Sequence, residues 1–177
     1  ASPVCRDSGK LHRFATLAHL AQAPRHGAKG EALDFDPALH LFPGHRRGDR
    51  RPGPGPHAPS PDWSGRRWNP SQAYSDSKLY LTALAFAVAR RWPDVLSNAV
   101  DPGWVPTKMG GASAPDDFEE GYLTQTWLAV SEDPAATVSG RYWHHRRPQT
   151  PAREVEDPRF QDQLSARLAE MTGVSLF

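Results

Sequence analysis

From residue 43 to residue 61 the chain reads PGHRRGDRRPGPGPHAPSP, and no regular element can be laid through it. Proline lacks the backbone donor that a ladder or a helix interior needs, and glycine raises the entropy lost on ordering. The tract has almost no apolar side chain whose burial would offset either effect, so it is read as irregular or disordered. A compact structure must come mainly from the residues beyond it, and the chain divides into an atypical Pro/Gly/Arg-rich region, 1–62, and a well-patterned region, 63–177. Arg46, Arg47, Arg50 and Arg51 could touch phosphate, but no aromatic side chains lie among them to stack on bases, so no nucleic-acid partner is expected.

Charge agrees with that exclusion. Lys plus Arg exceeds Asp plus Glu by one across 177 residues, which leaves no global field to gather a polyanion. Cys5 is the single cysteine, which excludes an internal disulfide framework and a multi-thiolate zinc site. The eight histidines show no i,i+4 pairing with a carboxylate, so no metal is expected. The longest apolar stretch, residues 79–89, is too short to cross a bilayer, and the first ten residues do not read as a signal peptide. A cytoplasmic protein without a membrane partner is the expectation.

Residues 11–23, LHRFATLAHLAQA, predict a short helix with Leu11, Phe14, Leu17, Ala18 and Ala21 on one face, ended by Pro24. A longer helix is predicted over 72–91, capped by Asn69 or Ser71, with Pro70 in its approach and Pro93 beyond its end. Leu79, Ala83, Phe86 and Ala87 recur on one side, with Tyr80, Leu84 and Val88 close beside them. Such broad apolar coverage suits a helix between a sheet and a partner subunit, so a homo-oligomer through 72–91 is expected. Residues 95–100 read as a buried strand ended by Asp101-Pro102-Gly103, and residues 109–115 as a small-residue loop. A helix from Asp116 or Asp117 to Val130, a strand over 139–144 and a helix over 158–171 complete the pattern, with His144-His145-Arg146-Arg147 as a solvated turn. Helices alternating with strands argue for an α/β layer structure.

Within that pattern, YSDSK sets Tyr74 and Lys78 four residues apart, one turn from each other on the same side of a helix. A free phenol titrates near ~10 and is a poor proton carrier at neutrality unless a nearby ammonium favours its anion. The stretch AYSDSKLYLTALAFAVA, 73–89, resembles the active-site helix of the short-chain dehydrogenase/reductase family. NAVDPGWVPT, 98–107, resembles that family's segment after its sixth strand, and the two occur in the family's order. The resemblance covers residues 63–177 or so, and is nearest to retinol-dehydrogenase-like and WW-domain-oxidoreductase-like members.

The resemblance implies a partial Rossmann-like layer fold and NAD(P)-dependent reduction of a small ketone or oxidation of a small alcohol. It implies that Tyr74 gives or takes the proton, while Lys78 lowers the phenol's pKa and binds the nicotinamide ribose. Pro102 and Gly103 would form the wall beside the nicotinamide, Val105 would lie near its carboxamide, and Thr107 would also approach the NAD or NADP. Trp104 and Met109 would line the substrate pocket, and residues 108–118 would form a mobile lid. The family's upstream serine has Ser60 as its candidate here, with Ser64 behind it.

The family fold also opens with a strand, a glycine-rich turn and a helix whose N–H groups meet the pyrophosphate. No such fingerprint precedes residue 73; HGAKGEA, 26–32, has two spaced glycines but no β-branched strand before them. Nor would three or four β-α units fit in the space before the tyrosine. The nucleotide-binding units are therefore expected to be missing or replaced, as a reading-frame error or rearrangement in the first 60 residues would explain. Two readings result: an NAD(P)-dependent oxidoreductase, or a non-catalytic remnant or accessory protein that keeps the scaffold without binding nucleotide.

Overall fold

The structure, a computed structural model, describes residues 12–17 and 60–177. The expectations for residues 24–32, 43–59 and for the rest of the stretch 11–23 lie outside the described residues.

The first described element corrects the sequence reading. His12–Leu17 is a strand, β1, and not part of a helix. It pairs in parallel with β2, Val95–Asp101, in a register that sets Phe14 against Ser97 and Leu17 against Val100. The six residues HRFATL satisfy a helical and an extended period about equally, and here a ladder partner some eighty positions away decides between them.

Helix α1, Pro70–Arg91, begins where an Asn-Pro pair can start it. The Asn69 carboxamide accepts from Gln72 N–H at 3.0 Å, Pro70 takes an N-terminal position that needs no donor, and Arg90 and Arg91 complement the dipole at the far end. After Trp92 the chain reverses within a few residues, Val95 N–H bonding Trp92 C=O at 3.0 Å, so β2 runs antiparallel to the helix before it. Helix α2, Glu120–Val130, leads to β3, Tyr142–His144, which pairs in parallel with the end of β2. The expected strand from 139 is thus shorter, because residues 139–141 serve as a side-bonded lead-in. Ser139 and Arg141 meet the β2 backbone and the buried Asn98 side chain. A hairpin then forms strand β4, Arg147–Gln149, antiparallel to β3, and two helices come after it, α3 (Arg153–Glu156) and α4 (Pro158–Thr172). The sheet order is β1-β2-β3-β4.

The HHRR segment is the tip of this hairpin. His145 and Arg146 both have positive φ (46° and 59°), as a two-residue turn matched to strand twist requires.

Two clusters show how the layers stack. Ala99 and Tyr142 pack with Ala85 and Phe86 of α1 and Val155 of α3. Their sheet neighbours Val100 and Trp143 point the other way, onto Leu128 and Trp127 of α2, with the two indoles edge to face at 5.2 Å. β2 is therefore buried on both faces. Helices α1 and α2 thus cover opposite faces of the sheet. Phe160 and Leu164 of α4 seat on Ala83 of α1, and Asp62 in the segment before α1 binds Arg167 of α4 at 2.6 Å.

Leu164→Ala should lower unfolding free energy by about 2–5 kcal/mol, against less than about 0.5 kcal/mol for Val130→Ala at an exposed position, both read by urea denaturation. The hydrogen bond from Arg167 holds the Asp62 carboxyl at about 2. Its stabilising effect is present above pH 4 or so and lost as pH falls through about 2. Asp62→Asn should thus be less stable than the parent at pH 7 and converge with it near pH 2, as followed by circular dichroism.

Candidate active site

Because α1 runs against β2, its first turns lie toward the C-terminal ends of the parallel strands, the edge at which open α/β sheets take ligands. Tyr74 and Lys78 lie there, both half-buried. The Lys78 ammonium sits over the Tyr74 ring, Nζ 5.1 Å from its centroid, within reach of a cation–π attraction. The two side chains therefore lie together, as their spacing leads one to expect. Burial lowers the Lys78 pKa from its ordinary value, so its charge stands in a partly dewatered setting.

The end of β2 leads into a tightly closed turn. Asp101 Oδ1 accepts from Gly103 N–H at 2.9 Å. Trp104 N–H donates to Asp116 Oδ2, while Asp116 N–H donates back to Trp104 C=O at 3.0 Å. This reciprocal clasp closes the loop at its base. Inside it, the Trp104 indole N–H bonds Gly110 C=O at 2.8 Å, and Thr107 Oγ1 accepts from Gly110 N–H at 3.0 Å. Trp104 and Thr107 thus have polar contacts within the loop's own fold. Pro102, Gly103 and Val105 are buried, and Met109 is exposed. Helix α2 starts at Glu120, later than expected, because Asp117 accepts the Glu119 and Glu120 N–H groups as a cap just ahead of it.

The carboxylates of this edge are in company. Burial raises the Asp101 pKa, an effect that the Gly103 N–H, the nearby His144 and a hydrogen bond with Tyr142 partly offset. Burial and the Asp101 charge push the Tyr142 phenol well above its usual range. His144 Nδ1 lies 3.2 Å from Asp101 C=O, and the rings of His144 and His145 stack at 3.8 Å, although neighbours on a strand are expected to point apart. The φ of His145 takes it out of the strand and permits the stack. Asp116, Tyr142 and His145 were not legible as parts of a site, for they meet Asp101 and the glycine turn only through sheet pairing and loop closure.

Ser60 is bonded to Tyr80 of α1 and to the segment before that helix. Its N–H donates to the Tyr80 hydroxyl at 3.2 Å and its hydroxyl to Asp62 at 3.2 Å, and Ser64 also bonds Asp62. At the C-terminal end of β1, in register with Ala99, stands Thr16.

No family model matches the chain. Among curated relatives, the short-chain dehydrogenase chry4 of Gibberella zeae is 33% identical over 112 residues, covering 63% of this chain and 43% of the relative. The short-chain dehydrogenase chyC of Penicillium rubens is 31% identical, over 59% of this chain and 40% of the relative. Human carbonyl reductase [NADPH] 1 is 34% identical over 84 residues, 44% of this chain and 30% of the reductase. The chain spans less than half the length of these relatives. A crystal structure of an uncharacterized protein from Mycobacterium paratuberculosis aligns with a TM-score of 0.54 at 17% identity, over 94% of this chain and 52% of that one, a likeness of fold alone. Together the sequence matches establish a general link to the short-chain dehydrogenases/reductases.

The turn makes sharp demands on its glycines. A Cβ on Gly103, at φ 81°, would lie 2.5 Å from Asp116 Oδ2, and one on Gly110 2.0 Å from Val105 C=O, whereas Gly111, at φ 78°, faces open space. Gly111→Ala should therefore cost about 1 kcal/mol for its backbone conformation, and Gly103→Ala and Gly110→Ala clearly more. Thermal unfolding of the three variants gives that ranking.

Proposed function

We propose that this chain carries the proton-handling and C-terminal half of a short-chain dehydrogenase/reductase scaffold, and that by itself it does not bind dinucleotide or turn over. The observation that carries the first part is the Lys78 ammonium lying over the Tyr74 ring at the ligand-accepting edge of the sheet. An ammonium so placed stabilises the phenolate and makes the oxygen a usable proton donor to, or acceptor from, a small carbonyl or alcohol. A nicotinamide, when bound in such an enzyme, supplies or takes the hydride.

The second part rests on how the residues suit NAD or NADP. Tyr74, Lys78 and the buried wall of Pro102, Gly103 and Val105 are compatible with a nicotinamide ring. For the pyrophosphate, no glycine-rich strand-to-helix turn stands before α1 among the described residues. The glycine turn after β2 is no substitute. The Gly103 and Trp104 N–H groups are already bonded to two carboxylates, Asp101 and Asp116, whose charge opposes a phosphate. The dinucleotide as a whole does not fit the described residues, so residues outside them would have to complete the phosphate site for catalysis.

A second reading, an enzyme competent alone, draws on the same Tyr74–Lys78 contact, and one titration separates the two. The isolated chain should show no saturable quenching of tryptophan fluorescence by NADPH or NADH up to about 1 mM, the top of the usual range for such ligands. Saturable binding would overturn the scaffold reading. Should turnover then be found, Tyr74→Phe should reduce it at least about a hundredfold while leaving cofactor affinity nearly unchanged.

A further inference from the structure

The segment that leads into α1, residues 60–68, is bound to the helices it passes at three places. Ser60 N–H donates to the Tyr80 hydroxyl at 3.2 Å, Asp62 pairs with Arg167 of α4 at 2.6 Å, and Arg66 pairs with Asp76 at 2.6 Å. The last contact is the most enclosed. Asp76 is buried, and its other oxygen accepts from the Gln72 carboxamide at 2.7 Å. Arg66 also donates to Ser60 C=O at 3.2 Å, and its guanidinium lies 3.7 Å from the centre of the Trp63 indole, which meets Trp68 edge on at 4.9 Å. Trp63 stands at φ 59°, a conformation that a bulky residue keeps only where its surroundings hold it.

Helical geometry ties this contact to the site. Asp76 stands two positions from both Tyr74 and Lys78, hence on the opposite side of α1. Gln72, Asp76, Tyr80 and Ala83 share that side, and Ala83 receives Phe160 and Leu164 of α4 there. The buried apolar clusters that α1 joins include none of its residues before Leu79. Its first two turns are thus fastened on that side by a charge-assisted pair in place of apolar packing. We propose that Arg66 and Asp76 are positioning residues, whose ion pair fixes the rotation of these turns about the helix axis and so the direction in which Tyr74 and Lys78 project. The proposal rests on the reading of those two side chains as the proton-handling pair. Removing Arg66 leaves a buried carboxylate with the Gln72 amide as its neutral partner, an unfavourable state. The first turns relieve it by frayed or rotated conformations that bring Asp76 to water, and Tyr74 and Lys78 turn with them. The planar guanidinium suits the task, since it bonds Asp76 and Ser60 C=O at its edge while its face stacks on Trp63.

The Lys78 ammonium lies over the Tyr74 ring, so the ε-methylene resonances of Lys78 carry a ring-current displacement that reports how the pair is oriented. Carbon–proton NMR correlation spectra of the full chain measure it, with Tyr74→Leu as the zero. Arg66→Met, which keeps an apolar stem over Trp63, and Asp76→Asn should each lose much of the displacement while circular dichroism shows an intact fold. The double variant should lose no more than the stronger single one, because both act through one contact. Asp162→Asn, which breaks the pairs with Arg90 and Arg91 at the other end of α1, should keep the full displacement. Should Arg66→Met fail to fold, Asp76→Asn decides by itself, since it conserves the side chain's size and its bond to Gln72. Full displacement in both single variants, or an equal loss in Asp162→Asn, overturns the positioning role and leaves the functional reading standing. A parent spectrum that matches Tyr74→Leu defeats the functional reading, and the positioning role with it.

Discussion

Strand β2 is the constraint on which the rest depends. Its residues alternate between two hydrophobic layers, Ala99 toward α1 and α3, Val100 toward α2. Its polar members are equally committed. Ser97 donates to Ala85 C=O of α1, and the Asn98 side chain bonds the backbone at Val138 and Arg141. A strand held this way on both faces and along both edges fixes where its last residue, Asp101, delivers the chain. The position of the glycine turn relative to α1 depends on it, and so does any chemistry at that edge.

The turn's polarity is the more telling part of the site. In a loop meant to embrace phosphate, free N–H groups would point outward. Here the first two N–H groups after Pro102 bind carboxylates, and the indole and hydroxyl of Trp104 and Thr107 are engaged within the same loop. The loop over 108–118, expected as a lid, is tied at its base by one backbone bond and one backbone-to-carboxylate bond between Trp104 and Asp116, and internally by side chains. Its polar groups are thus largely engaged by the loop itself. On the proposed reading, proton handling belongs to the Tyr74–Lys78 pair and the phosphate site to residues outside this turn.

Legibility in the sequence tracked locality. The contact of Tyr74 with Lys78 needs only the helical repeat, so four-residue spacing sufficed to bring the ring and the ammonium together. The Asn69 cap and the stop after Arg91 are likewise local, and α1 came within two residues of its expected start. Strand β1 went the other way: LHRFATLAHLAQA carries a helical stripe, yet residues 12–17 gain more from a six-residue ladder with β2 than from isolated helix, which is marginal at that length. The late start of α2 has a similar cause, since the clasp between Trp104 and Asp116 holds the chain out of helix just where sequence alone would begin it.

By itself, then, the sequence determined the helix that carries Tyr74 and Lys78, the buried strand and Pro-Gly turn after it, and the link to the dehydrogenase family. All of these are written in residues within a turn or two of each other. The tertiary structure alone decided that β1 joins the sheet, that α1 and α2 lie on opposite faces of it, and that Asp101, Asp116 and His145 meet at Gly103. Those residues are separated by up to some forty positions, and only strand pairing and loop closure convert that distance in sequence into contact in space.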